Sequence, residues 1–180
     1  MASIQDIEAA IPALAGTNWS DESPVTDAYN CIAFAFGDTQ NWWWPKKGFG
    51  YYWPPGFPLD DSVDNLIRIF EVHGYSCCDS PGPESGYERV VIFCQNRKFK
   101  HASRQVRSGR WASKLGLEQD IEHERAEHVA CSAYGTVEQF LRRKRDDWEP
   151  DPIEETDEAE SDGVDSAGDA VRSTGISGMM

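Results

Sequence analysis

One cysteine and one histidine in this 180-residue chain stand where a thiol reaction would need them. Cys31 follows Tyr29-Asn30 and opens a dense apolar run, Ile32 to Phe36, that stops at Gly37; the pattern predicts a short buried helix with the cysteine in its first turn. There the unpaired N–H groups and the positive end of the helix dipole favour a thiolate, and the same groups can receive an oxyanion. Asn30 carries a side-chain amide that could cap the helix or donate to that oxyanion. A thiol nucleophile also needs a histidine to take its proton and a third polar group to orient that histidine. His101 is the candidate base. A lone cysteine is more often an inert packing residue, and Cys77, Cys78, Cys94 and Cys131, which lack a helix entry, are read that way.

Between Trp42 and Phe57 lie eight aromatic residues, interleaved with prolines and glycines. Aromatic rings grip sugars, prolines and peptides, but they also fill small cores. Most are assigned to the core, with Trp43, Trp44 and Trp53 as candidate substrate contacts. From Arg89 to Leu117 there are eight basic residues and no acidic one, so the band around His101 suits an anionic substrate or partner, with Arg104 as its candidate contact. The plainer reading of that band is a solvated hairpin face. His73, just before Gly74, meets the negative end of a helix dipole and is read as structural. His123 and His128 with Cys131 match no standard zinc spacing and are assigned to a charged, solvated segment. No metal and no cofactor is expected.

The elements that must position these groups follow from periodicity. Ile4, Ile7, Ile11 and Leu14 recur at helical spacing after Ser3, a good N-cap. Prolines break the aromatic stretch into an ordered loop. Ser62 caps a helix carrying Val63, Leu66, Ile67 and Phe70, ended by Gly74. Arg89 to Gln95, Phe99 to Val106 and Arg110 to Leu115 are β-rich and separated by turn residues, which predicts an antiparallel meander with His101 in its second strand. Gly116 to Ala133 shows little periodicity. Thr136 and Gln139 resemble a capping box before Val137, Phe140 and Leu141, so a last helix to about Arg145 is expected. The sum is an α+β domain over residues 1–145, with helices on one side of a small antiparallel sheet.

The formal net charge of −14 sits mostly in one place. Residues 146–180 carry 12 acids and one base, and residues 1–145 carry 19 acids and 16 bases. A near-neutral domain with a disordered acidic tail is therefore expected. The whole-chain balance argues against a nucleic-acid partner. No apolar run suits a membrane span, no secretory signal is evident, and five cysteines with no C-x-x-C fit a reducing compartment. A cytoplasmic monomer is expected, with the tail able to reach the basic hairpin in a salt-sensitive contact.

Tyr29-Asn30-Cys31-Ile32-Ala33, Trp42 to Pro45 (WWWP), His101-Ala102 with Arg104-Gln105, Trp111 to Gly116 (WASKLG), Asp120 to His123 (DIEH) and Ala133-Tyr134-Gly135 together resemble an uncharacterised family of small bacterial proteins. The resemblance covers most of Ala28 to Arg143. More remotely, a cysteine-bearing helix followed by a histidine-bearing strand is similar to papain-like cysteine hydrolases, especially the NlpC-type and CHAP amidases. That resemblance implies a papain-like small core, with Cys31 as nucleophile and His101 as general base. In those families the third group lies on or just after the next strand, where this chain offers Ser113, Asp120, Glu122 and His123. Asp120 is the first choice, because a carboxylate fixes the tautomer and stabilises the imidazolium. The expected function is a cysteine hydrolase or acyltransferase acting on an amide or ester, such as a peptide bond. The alternative is a non-catalytic binding or regulatory module that uses the aromatic loop and basic hairpin.

Overall fold

The sequence Tyr87–Gln95 is apolar at nearly every inner position, and in the computed structural model, which describes residues 2–152, it runs through the interior of one seven-stranded antiparallel sheet. The strands are β1 (Trp19–Asp21), β2 (Tyr75–Cys78), β3 (Tyr87–Gln95), β4 (Lys98–Gln105), β5 (Trp111–Lys114), β6 (Asp120–His123) and β7 (Thr136–Lys144). Their order across the sheet is β1-β6-β5-β4-β3-β7-β2. Among the described residues three α-helices pack on the sheet, α1 (Ile4–Ala10), α2 (Cys31–Ala35) and α3 (Val63–Val72), with a 3-10 turn at Pro12–Leu14 after α1. The mixed α+β class and the β3-β4-β5 meander match the sequence expectation. So do the helix caps, with Ser3, Asn30 and Ser62 each accepting from a first-turn N–H.

The sheet is buried on both faces. Val90 and Ile92 of β3 pack with Ala102, α2, α3 and Trp43, whereas Val91 and Phe93 pack with Trp111, Ile121, Ile7 of α1 and its C-cap Ile11. The helices therefore divide between the two faces, contrary to the expectation that all lie on one side. Both faces of β3 are apolar, so each needs a cover. Burying one such side chain contributes roughly 1.5–3 kcal/mol.

Two irregularities set which residue faces which core. Opposite β3, Phe93 pairs with His101 while Cys94 pairs with Phe99, so Lys100 is an extra residue on β4. On the other side Ile92 pairs with Gln139 and Phe93 with Val137, so Glu138 is an extra residue on β7. Such bulges shift the alternation of everything beyond them by one position. The second bulge explains a correction: residues 136–144 form a strand, not the expected last helix. Val137 and Phe140, three apart, share a face only because Glu138 is skipped, which imitates helical spacing. The segment Gly116 to Ala133 supplies β6 and a short 3-10 turn, Ala126–Val129.

The ordered contacts continue past residue 145. Trp148 is buried, its carbonyl accepts from the Gly86 N–H, and the Asp151 N–H donates to the Arg107 carbonyl. The rest of the expected acidic tail, residues 153–180, lies outside the described residues. Among the described residues no helix is long and apolar enough to cross a membrane.

Gly135 closes the turn into β7 at φ +79°, and a Cβ built there would stand 2.0 Å from the Cys94 carbonyl oxygen. Because that obstacle is backbone, it cannot swing aside. Gly135→Ala is predicted to lower stability on the order of 3 kcal/mol, as measured by urea unfolding. A variant as stable as the parent would contradict this turn geometry.

Candidate functional site

Cys31 is the first residue of α2, and Asn30 is its N-cap. The Asn30 side chain is committed in both directions. Its Oδ1 accepts from the N–H groups of Ala33 (3.1 Å) and Trp43 (3.1 Å), and its Nδ2 donates to the Trp43 carbonyl (2.8 Å). The amide thus ties the helix start to the aromatic loop, where it is 3% exposed. The oxyanion assignment for Asn30 gives way to this structural one, because its amide is turned into the Trp43 backbone and buried there.

The Cys31 thiol lies 4.0 Å from the carbonyl oxygen of Lys100, to which it donates. It forms the floor of a cleft of about 330 Å³ walled by Trp42, Trp44, Tyr51 and Tyr134, with Lys46 and Lys100 at its sides. Burial pushes the thiol pKa up to about 11, against the smaller opposing pull of the Ala102, Ile32 and Cys31 N–H groups. A five-residue helix cannot offset that desolvation, so the thiol is neutral near neutral pH.

His101 is fully buried, but no hydrogen bond joins it to Cys31. Its ring stacks on Tyr134 (centroids 4.1 Å apart, 16° between planes) and meets Phe93 edge-on at 5.3 Å. The bulge at Lys100 is the reason. Simple alternation would keep Phe99 and His101 on one face; with Lys100 skipped, Phe99 stays with the α2 core and His101 turns with Phe93 to the other. Neither ring nitrogen has a partner among the described residues. Burial, then the nearby His123, hold its pKa down to about 3.

Asp120 does not reach His101. Its Oδ2 accepts from the Tyr29 hydroxyl at 2.6 Å, on the α2 side of the sheet, where it faces Lys114 across the β5–β6 ladder. Burial and this carboxylate push Tyr29 up to about 12. Lys114 is itself fully buried, donating to the Glu118 carbonyl, with its ammonium 5.5 Å from the Tyr29 ring. Tyr29, Asp120 and Lys114 form a polar cluster near Cys31 that the sequence reading did not assemble.

The remaining candidates for the third group divide similarly. The His123 Nδ1–H donates to the Arg125 carbonyl (2.8 Å), which leaves Nε2 to accept from the Ser113 hydroxyl (2.8 Å), and Ser113 in turn accepts from Ser103 (2.6 Å). This chain lies on the His101 face of the sheet without including His101. His123 is thus a buried, hydrogen-bonded residue with a pKa pushed down to about 4 by burial, and not part of a solvated segment. Glu122 pairs with Arg110 at 2.7 Å.

Of the substrate-contact candidates, Trp44 lines the cleft. Trp43 is buried against Phe36 and Tyr52, its indole N–H donating to Asp38 (2.8 Å). Trp53 stacks on Phe99 and donates to the Pro58 carbonyl. Arg104 lies over the Phe34 ring at 4.1 Å and lines a different cavity, at the far end of α2. Trp42, Tyr51 and Tyr134 were missed as cleft residues. Tyr134 belongs to the Ala133-Tyr134-Gly135 motif, but nothing in its spacing signals that it reaches across to Cys31. Among the described residues no group of three or more His, Cys, Asp or Glu side chains is placed to hold a metal ion.

The model of one protein family, described as a domain of unknown function (DUF7689), matches residues 20–142, which include every cleft residue. No curated protein and no solved structure matches the chain.

The two neutral imidazoles carry a pH signature. Each binds a proton more weakly folded than unfolded, so as pH falls below about 6.5 the unfolded chain takes up protons first. Stability is fullest above that pH and declines toward pH 4 by up to about 1.4 kcal/mol per pH unit for each histidine. His101→Phe, which keeps a ring on Tyr134, should remove its share of the slope in urea unfolding between about pH 7 and about pH 5. An unchanged slope would contradict a buried neutral His101.

Proposed function

The chain belongs to this family of unknown function, and from its own cleft we propose that it is a binding module whose site holds an aromatic or apolar group of a ligand or partner protein. The observation that carries this reading is the state of the Cys31 floor. Among the described residues no base is hydrogen-bonded to the thiol, four aromatic rings line the cleft around it, and burial favours its neutral form. Flat rings on such walls give large contact area at small conformational cost. Lys46 and Lys100 at the sides suit a ligand that also carries negative charge.

The experiment is iodoacetamide alkylation of Cys31 across the neutral to alkaline range, with Cys31→Ala as control. The expected result is a rate no faster than that of a free thiol, still rising at the alkaline end as a raised pKa requires. In parallel, N-acetyl-phenylalaninamide should shift the indole N–H resonances of Trp42 and Trp44. Rapid alkylation that plateaus below neutral pH and is lost in His101→Ala would overturn the non-catalytic reading. Indole resonances that do not move would overturn the binding role.

A second reading is a papain-like thiol hydrolase or acyltransferase, and one observation favours it. Tyr134 both walls the cleft and stacks on His101, whose two ring nitrogens are unpartnered. Buried polar groups without partners are rare, and a catalytic role is one explanation for them. On this reading Tyr134 moves aside and His101 takes the Cys31 proton. The thiolate attacks an amide or ester carbonyl, and the C–N or C–O bond breaks as the imidazolium protonates the leaving amine or alcohol. Water or another acceptor then releases the acyl group from the thioester. Asp120, held by Tyr29, is not the orienting group in that scheme.

A further inference from the structure

At the opposite end of α2 from Cys31, beyond Ala35 and Phe36, lies a second cavity of about 330 Å³. Its charge is one-sided: Arg89, Arg104, Arg107, Arg143 and Arg145 line it against a single carboxylate, Glu88, and Arg89 is already held by Glu84. Strand register explains the gathering. Arg104 stands opposite Val90, Arg143 opposite Glu88 and also opposite Tyr75, so all project from the α2 face, and Arg145 follows Arg143 by two positions.

The arginines are unequally satisfied. Glu88, 9% exposed, bridges Arg143 and Arg145, and Asp147 pairs with Arg145 from outside the cavity at 2.9 Å. Arg107 donates to the main-chain oxygen of Asp147 and lies 5.6 Å from the Trp148 ring. Arg104 has no hydrogen bond or ion pair among the described residues; its guanidinium rests on the Phe34 ring and lines the cavity. Arg104 is half-buried, and taking even part of a guanidinium out of water without a partner is costly. Its pKa is accordingly lowered by burial. Aromatic rings fix the forks in place: Phe34 beneath Arg104, Tyr75 beneath Arg143 at 4.6 Å, and Trp148 beside Arg107 and Arg145.

We propose that this cavity is an oxyanion-binding site, in which Arg104 and Arg107 grip a phosphate or carboxylate group of the ligand while Glu88 holds Arg143 and Arg145 in position. Guanidinium groups with free edges match planar or tetrahedral oxyanions through paired, charge-assisted hydrogen bonds. The same chemistry is available from two sources. One is a free phosphorylated molecule. The other is the chain's own run Glu154, Glu155, Asp157 and Glu158, which follows directly on a segment anchored at the cavity rim by the Asp151–Arg107 hydrogen bond.

The test is calorimetric titration of the full chain with inorganic pyrophosphate at low and physiological salt. Binding is expected, weakened about tenfold or more in Arg104→Gln and in Arg107→Gln, the latter being an exposed position whose replacement leaves the core intact. A full-length variant with Glu154, Glu155, Asp157 and Glu158 changed to their amides separates the sources. Tighter pyrophosphate binding in that variant identifies the chain's own carboxylates as the resident ligand, and unchanged binding identifies a free anion. Pyrophosphate that binds neither the parent nor this variant, or binds the two arginine variants as tightly as the parent, overturns the site.

Discussion

Strand β3 has apolar side chains on both faces and cannot leave either in water. Val90 and Ile92 demand one cover, Val91 and Phe93 another, and α2 with α3 supplies the first while α1 supplies the second. The neighbouring strands must then sort their own residues between two cores. They do so with one skipped residue each, Lys100 on β4 and Glu138 on β7. The first skip sends His101 to the face away from α2, and the second lets Val137 and Phe140 share a core. The chemistry near Cys31 is thus decided by the need to fill both sides of a central strand.

A second constraint holds the cleft open. Asn30 binds α2 to Trp43 through three hydrogen bonds in a nearly water-free setting, where each is worth more than at the surface. With Trp43 fixed, the rings on either side of it turn outward. Trp42 and Trp44 become cleft walls while Trp43 becomes core, so three adjacent tryptophans play two different parts. The two ends of α2 consequently face different environments, aromatic at Cys31 and arginine-rich beyond Phe36.

Much of this was legible in the sequence. Helix caps at Ser3, Asn30 and Ser62 are local signals carried by one side chain and the backbone three residues on, and they read correctly. The meander followed from β-rich runs and turn residues. The last strand did not, because its bulge lets Val137 and Phe140, three apart, share a face and so reproduces helical spacing. The pairing of Cys31 with His101 was inferred from residue type and order, and neither encodes which face of β4 a side chain occupies. Arg104 shows the same limit: its type was informative, but its place beside Arg143 and Arg145 depends on register between strands distant in the chain.

The separation of Cys31 from His101 is the feature on which the binding reading turns, and the ionisation of His101 reports on it directly. The ring ¹⁵N shifts of His101, recorded from about pH 7 down to about pH 5 in the parent and in Cys31→Ser, are expected to show a neutral imidazole throughout and no difference between the two proteins. An imidazolium at neutral pH that disappears in Cys31→Ser would mean that the thiol and the ring share a proton, and would contradict it.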